Sequence, residues 1–92
     1  MSVRWTDLAT HDLTNICDYT RERHGPDMAR KLAWRIHEAT GSLLQFHHRG
    51  RSGRKPGTRE LVLAGSPFLA VYRIREDVIE IVRILHGAQR WP

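Results

Sequence analysis

The spacing of hydrophobic residues changes once along this chain. From Ala9 to Phe46 they recur every three or four positions, and from Leu61 to Leu85 they gather in short runs rich in β-branched and aromatic residues. The first period is that of a helix packed on one side, and the second pattern is that of strands bounded by turns. A helix is predicted from about Leu8 to Arg23, with Ala9, Leu13, Ile16, Cys17 and Thr20 along its buried stripe and Thr6 or Asp7 as its cap. Val3 to Thr6, just before it, reads as a short strand. His24-Gly25-Pro26 interrupts the helical period. Gly25 suits a helix end, and Pro26 suits the first turn of a new helix. The second helix is predicted from Pro26 to about Phe46, with a narrow seam of Ala29, Leu32, Ile36, Ala39, Leu43 and Phe46. That seam suits packing along another helix, so the two form a helical hairpin. Trp34 lies off the seam among Arg30, Lys31, Arg35 and Glu38, and either packs on the first strand or marks an interface.

The second region divides at two turn signals. Thr58–Ala64, Phe68–Ile74 and Val78–His86 are predicted strands, joined at Gly65-Ser66 and Glu76-Asp77. Two-residue loops set the register. Arg75 then faces Val78, Arg73 faces Glu80, Val71 faces Val82 and Leu69 faces Ile84, while Val62 faces Leu69 and Leu61 faces Ala70. The Arg73–Glu80 pair supports this register, because directly opposed opposite charges contribute about 0.2–1 kcal/mol. One face collects Leu61, Leu63, Phe68, Ala70, Tyr72, Ile74, Ile79, Ile81 and Leu85, and is the expected core. The other carries Glu60, Val62, Leu69, Val71, Arg73, Glu80, Val82, Ile84 and His86, and is the candidate open face. The fold class is therefore α+β in the order β-α-α-β-β-β, with the helical hairpin packed on one face of a small, mainly antiparallel twisted sheet. Trp91, next to last in the sequence, is a side chain made to pack, so the C-terminal segment is expected to be docked.

Ninety-two residues suit one domain, 1–92, with a modest core. No apolar run approaches membrane-spanning length and no signal peptide opens the chain, so a cytoplasmic protein without a membrane partner is expected. The single Cys17 excludes an internal disulfide and a cysteine-based metal cluster, and reads as a small core residue. Charge is what changes the picture. Residues 1–46 carry six basic and six acidic side chains, whereas residues 47–92 carry nine and four, so the whole excess of +5 lies in the second half. The expected partner is anionic: nucleic acid, an acidic protein segment or an anionic surface.

Within that half, the polar loop His47–Pro56 holds Arg49, Arg51, Arg54 and Lys55. It reads either as a phosphate-contacting loop or as a solvated connector. Arg73 and Arg90 extend the candidate anion-binding set. The adjacent His47 and His48 do not make a metal site, since neighbours in sequence rarely converge on one ion; no metal and no cofactor is expected. His86 is the general acid/base candidate of the sheet region, with a suitable ordinary pKa. The competing reading of His86 is a strand-end histidine that hydrogen-bonds locally.

The element order, together with GTRELV (57–62), VYRI (71–74) and VRILHGAQRWP (82–92), resembles the RelE/ParE superfamily, the toxins of type II toxin–antitoxin modules. The opening Trp5, Ala9, Asp12 and Leu13, followed by Ile16 and Tyr19, is similar to the family's first strand and helix. The resemblance covers essentially the full length. It implies a growth-inhibiting toxin and a cognate antitoxin, encoded alongside, whose acidic C-terminal segment wraps and neutralises it.

The resemblance also implies one of two activities. RelE-like members enter the ribosome and cut mRNA, and ParE-like members inhibit DNA gyrase without nuclease chemistry. The RelE-like pattern has an arginine before the valine–tyrosine pair of the middle strand, a basic residue after the last strand's glycine and, near the terminus, a tyrosine or a histidine with a tyrosine. Here the first position is Leu69, Gly87 is followed by Gln89 and Arg90, and no tyrosine stands near the end. These departures favour the ParE-like reading over a ribosome-dependent endoribonuclease using His86, Arg83 and Arg59. A nontoxic basic nucleic-acid-binding module ranks third, because the candidate open face lacks interleaved aromatic residues.

Overall fold

The computed structural model describes residues 1–92. Strand β1 (Ser2–Trp5) leads into helices α1 (Asp7–His24) and α2 (Pro26–Gly41), and then come β2 (Arg51–Ser52), β3 (Arg59–Val62), β4 (Phe68–Arg75) and β5 (Val78–His86). The five strands form one sheet in the order β1-β5-β4-β3-β2. β1 runs parallel to β5, and the other neighbours are antiparallel. The chain is thus α+β, with a helical hairpin on a mainly antiparallel sheet. One strand was not foreseen: β2 arises inside the polar His47–Pro56 loop, whose sequence has no strand period.

Local chemistry places the helices. The Thr6 hydroxyl accepts from the Ala9 N–H at 3.0 Å and donates to the Val82 carbonyl at 2.8 Å. One side chain therefore caps α1 and ties it to β5. Gly25 ends α1 at φ 89°, a conformation that favours glycine, and Pro26 opens α2. α2 stops at Gly41 and tightens into a 3₁₀ turn at Ser42–Leu44, so the helix is shorter than its seam suggested. Ala29, Ile36 and Leu43 are buried as expected, but Phe46 falls beyond the helix and is 54% exposed. Trp34 does not pack on β1; that place is taken by His37, whose ring lies 5.2 Å from the ring of Trp5. Cys17 is half-buried on α1, and burial pushes its thiol above the ordinary value, as suits a packing residue.

The predicted register holds over part of the sheet. Val62 pairs with Leu69, Leu61 with Ala70, Arg73 with Glu80 and Arg75 with Val78. The Glu76-Asp77 loop has φ of 46° and 65°, the two positive values of a tight primed hairpin turn. Past Tyr72–Ile81 the ladder shifts, and Val71 faces Arg83, not Val82. Leu69 likewise faces Leu85, not Ile84. Val82 is the extra residue of a β-bulge, and every later side chain on β5 changes face. Ile84 joins the core under the helices, while Leu85 joins Leu69 and Val71 on the other face. The bulge is held from α1: Thr6 bonds the Val82 carbonyl, and the Asp12 carboxylate accepts the Ile84 N–H at 3.0 Å.

The main core lies between helices and sheet, around Ala9, Ile36, Leu43, Tyr72, Ile79 and Ile81, all fully buried. Tyr72 keeps its hydroxyl satisfied there, donating to the His47 carbonyl at 2.8 Å and accepting from the Gly50 N–H at 2.9 Å. Position 50 needs glycine, since a Cβ there would stand 2.6 Å from the Tyr72 ring. Across the sheet, Leu69, Val71 and Leu85 make a smaller cluster, with Val82 and Trp91 packed against it. The expected docking of Trp91 is therefore seen. No helix is long and apolar enough to cross a membrane.

Candidate functional site

The arginines singled out in the second half lie in distinct settings. Arg83 forms a fork with Asp12 of α1, Nε to Oδ2 at 2.7 Å and Nη2 to Oδ1 at 3.0 Å. That hydrogen bonding raises its pKa further, and it spends the head of Arg83 on holding helix to sheet. Arg73 donates to Glu80 at 2.5 Å. Arg59 donates Nη2 to the His48 carbonyl at 3.1 Å, and its Nε is buried without a partner. Arg49 reaches the Ser42 hydroxyl at 3.1 Å. Lys55 and Arg90 are exposed, and neither enters an ion pair.

Arg51 and Arg54 converge on Glu60. Although it was placed on the open face, Glu60 is 2% exposed. Its Oε1 accepts from Arg51 Nη2 at 3.2 Å, and its Oε2 accepts from the Arg54 N–H at 3.0 Å and stands 3.4 Å from Arg54 Nε. Arg54 continues outward, donating Nη1 to the Gln89 carbonyl at 2.7 Å and Nη2 to the Gly87 carbonyl at 3.2 Å. One guanidinium thus joins a buried carboxylate on β3 to the C-terminal segment that carries Trp91. A buried carboxylate needs such partners to remain charged.

His86 is exposed at the end of β5. Its ring stands edge-on to Phe68, with centroids 5.9 Å apart. Its Nδ1 accepts from the Ala88 N–H at 3.1 Å, an arrangement that places the proton of the neutral ring on Nε2. Nε2 faces no protein partner. Of the three residues of the ribonuclease reading, the fold leaves the imidazole available and engages Arg83 and Arg59 in bonds within the chain.

A second surface was not visible in the sequence. A groove runs around the tip of the β3–β4 hairpin. It begins as a cleft of about 360 Å³ between α2 and β3, bordered by Arg35, Glu38, Ser42, Arg49 and Val62. It shares Arg35 and Ser66 with a cavity of about 290 Å³ lined by Tyr19, Met28, Leu32, Pro67 and Phe68, with His24 and Lys31 at its side. From Phe68 it passes Asn15 and Ile16 to His86 and Gln89. An apolar floor with Lys31, Arg35 and Arg49 on its borders suits an extended or helical segment that is both apolar and acidic.

Comparison with known proteins identifies the family. Residues 3–91 match the family described as the ParE toxin of the type II toxin–antitoxin system, parDE. The chain belongs to the ParE toxin family. It is 42% identical over 90 residues to the candidate toxin Y4kP of Sinorhizobium fredii, covering 98% of this toxin and 92% of that protein. It is 37% identical over 87 residues to toxin RelE2 of Caulobacter vibrioides, covering 95% and 96%. Among solved structures, a chain of the chromosomal ParDE system from P. aeruginosa superposes with a TM-score of 0.88 at 36% identity, covering 94% of this toxin and 95% of that chain. A mutant of YafQ from E. coli superposes with a TM-score of 0.59 at 13% identity, covering 94% and 92%, which is a likeness of fold. The toxin is accordingly a member of the RelE/ParE superfamily, and a type II toxin has a cognate antitoxin.

Proposed function

We propose that this toxin is ParE-like: it inhibits DNA gyrase without nuclease chemistry, and its cognate antitoxin lays an acidic C-terminal segment in the hairpin groove. The observation that carries the reading is the fork between Arg83 and Asp12. Cutting RNA through its 2′-hydroxyl needs cations free to receive the developing phosphorane charge. Arg83 is held by Asp12, Arg73 by Glu80 and Arg54 by Glu60 and the C-terminal carbonyls. Leu69, where the RelE-like pattern has an arginine, is buried in the small cluster. The ParE family match and the ParDE neighbour support the same choice.

A second reading has one specific observation behind it. The free Nε2 of His86 would permit general acid/base chemistry in a RelE-like mRNA interferase. Purified toxin assayed in parallel for inhibition of gyrase supercoiling and for mRNA cleavage on translating ribosomes separates the two. Gyrase inhibition with intact mRNA is expected. Codon-positioned mRNA cuts that disappear in His86→Ala, with gyrase unaffected, would overturn the proposal in favour of the interferase. For the antitoxin, affinity is expected to fall as salt rises and to fall further in Arg35→Glu. A flat salt response with unchanged Arg35→Glu binding would remove the electrostatic part of the argument.

A further inference from the structure

The solvent face of α2 carries the most exposed large apolar side chain of the protein, Trp34, at 67%. Tryptophan is on average a well-buried residue, and it is enriched where proteins meet. At 3.6 residues per turn, Asp27, Arg30, Trp34, Glu38 and Gly41 follow one another along a single row of the helix. Asp27 pairs with Arg30, both exposed, while Glu38 is exposed and has no ion pair. The groove borders the adjacent side of α2, along Arg35, Ala39 and Ser42, and meets the row at Glu38.

The row is self-complementary. A two-fold axis through Trp34 that sets two α2 helices antiparallel places each residue opposite the one equally far beyond the tryptophan. Arg30, four positions before it, then meets the partner's Glu38, four positions after, and this contact occurs twice. Asp27 falls opposite the partner's Gly41, which has no side chain and open space around it. A parallel pairing would instead put Arg30 on Arg30 and Glu38 on Glu38, and is disfavoured. Isologous pairing of this kind is the commonest route to a homodimer.

The geometry points to a second copy of this toxin as the occupant: a two-fold dimer through antiparallel α2 helices, centred on Trp34 and keyed by reciprocal Arg30–Glu38 contacts. A single helix face buries roughly 1,000 Å² in total or less, which places the dimer among weak, concentration-dependent associations. The inference is independent of the target, and its surface shares Glu38 with the border of the groove.

Equilibrium sedimentation of the purified full chain tests it, from about 10 µM to about 1 mM, a range that brackets weak dimers. The weight-average mass is expected to climb from 10.7 kDa toward twice that value. Trp34→Ala should stay at the monomer mass throughout. Glu38→Arg should weaken the dimer about tenfold, and adding Arg30→Glu should restore most of the loss, because the reversed pair is again complementary. Trp34, Arg30 and Glu38 are exposed, so the circular-dichroism spectrum should be unchanged in every variant. A constant 10.7 kDa for the native chain overturns the proposal. So does a dimer that survives Trp34→Ala, or a double charge reversal no better than the single one.

Discussion

The two faces of one sheet are covered by different physical means. Toward the helices, ten buried residues interlock, from Ala9 and Ile36 to Tyr72, Ile79 and Ile81, and the cover is two long elements. On the opposite face the buried apolar cluster is Leu69, Val71 and Leu85, beside the buried Glu60, and the cover is the short segment that brings Trp91. That segment lies outside helix and strand, and at its start the Gly87 N–H donates to the Pro67 carbonyl at 2.8 Å. Arg54 adds a side-chain hold, fixing the Gly87 and Gln89 carbonyls while anchored on Glu60. Apolar area secures the first face, and a polar clamp secures the second. The lesson concerns the charge excess. Much of the basic character of residues 47–92 is structural, engaged with Glu60, Glu80 and Asp12. The outward charge left on the sheet side lies on groups such as Lys55, Arg75 and Arg90.

The strongest challenge to this contrast is a cavity under the helices. Ile81→Ala, at a fully buried position, should cost about 3–4 kcal/mol in denaturant unfolding. A loss below about 1 kcal/mol would mean that the helix-covered face is not the main source of stability. Removing the polar anchor should cost less. Glu60→Ala is expected to cost about 2 kcal/mol, because the released Arg51 and Arg54 are partly exposed and recover solvation. It should also speed amide exchange at Gln89, whose carbonyl Arg54 holds. Unchanged exchange there would show that the clamp does not hold the segment. Trp91→Ala should cost about 1–2 kcal/mol, consistent with a half-buried aromatic, and should leave α1 and α2 protection untouched. Loss of protection in the helices would show that the two faces unfold as one unit. The smallest effect is a gain at the β4–β5 turn. Both Glu76 and Asp77 sit at positive φ, so Glu76→Asn with Asp77→Gly should stabilise by about 0.5–1 kcal/mol. A loss of stability would argue against the primed turn.

Legibility in the sequence followed the range of the interaction. The hairpin at Glu76-Asp77 was readable because two strands of alternating residues flank a two-residue loop, and the register is right from Arg75–Val78 back to Tyr72–Ile81. The bulge at Val82 was not readable, because nothing local distinguishes that valine from a paired one. What selects it is α1, whose Thr6 and Asp12 bond the Val82 carbonyl and the Ile84 N–H from 76 and 72 residues away. One inserted residue then moved Ile84 into the core and Leu85 out of it. The candidate site shows the same division. His86 and the basic loop stood out as residue types, but the partners of Arg83, Arg54 and Arg59 did not, and those partners decide which cations remain to act.

The sequence alone therefore determined the order of elements, the helical and strand faces as far as the bulge, the packed role of Trp91 and membership of the RelE/ParE superfamily. These are written in periodicity, turn chemistry and short motifs, all of which act over a few residues. Tertiary structure decided the short strand β2, the burial of Glu60, the groove around the hairpin tip and the commitment of the arginines. Each depends on which distant groups are brought within bonding distance. A long, flexible guanidinium takes whichever carboxylate or carbonyl the packing presents, so its role is settled only once helix and sheet have met.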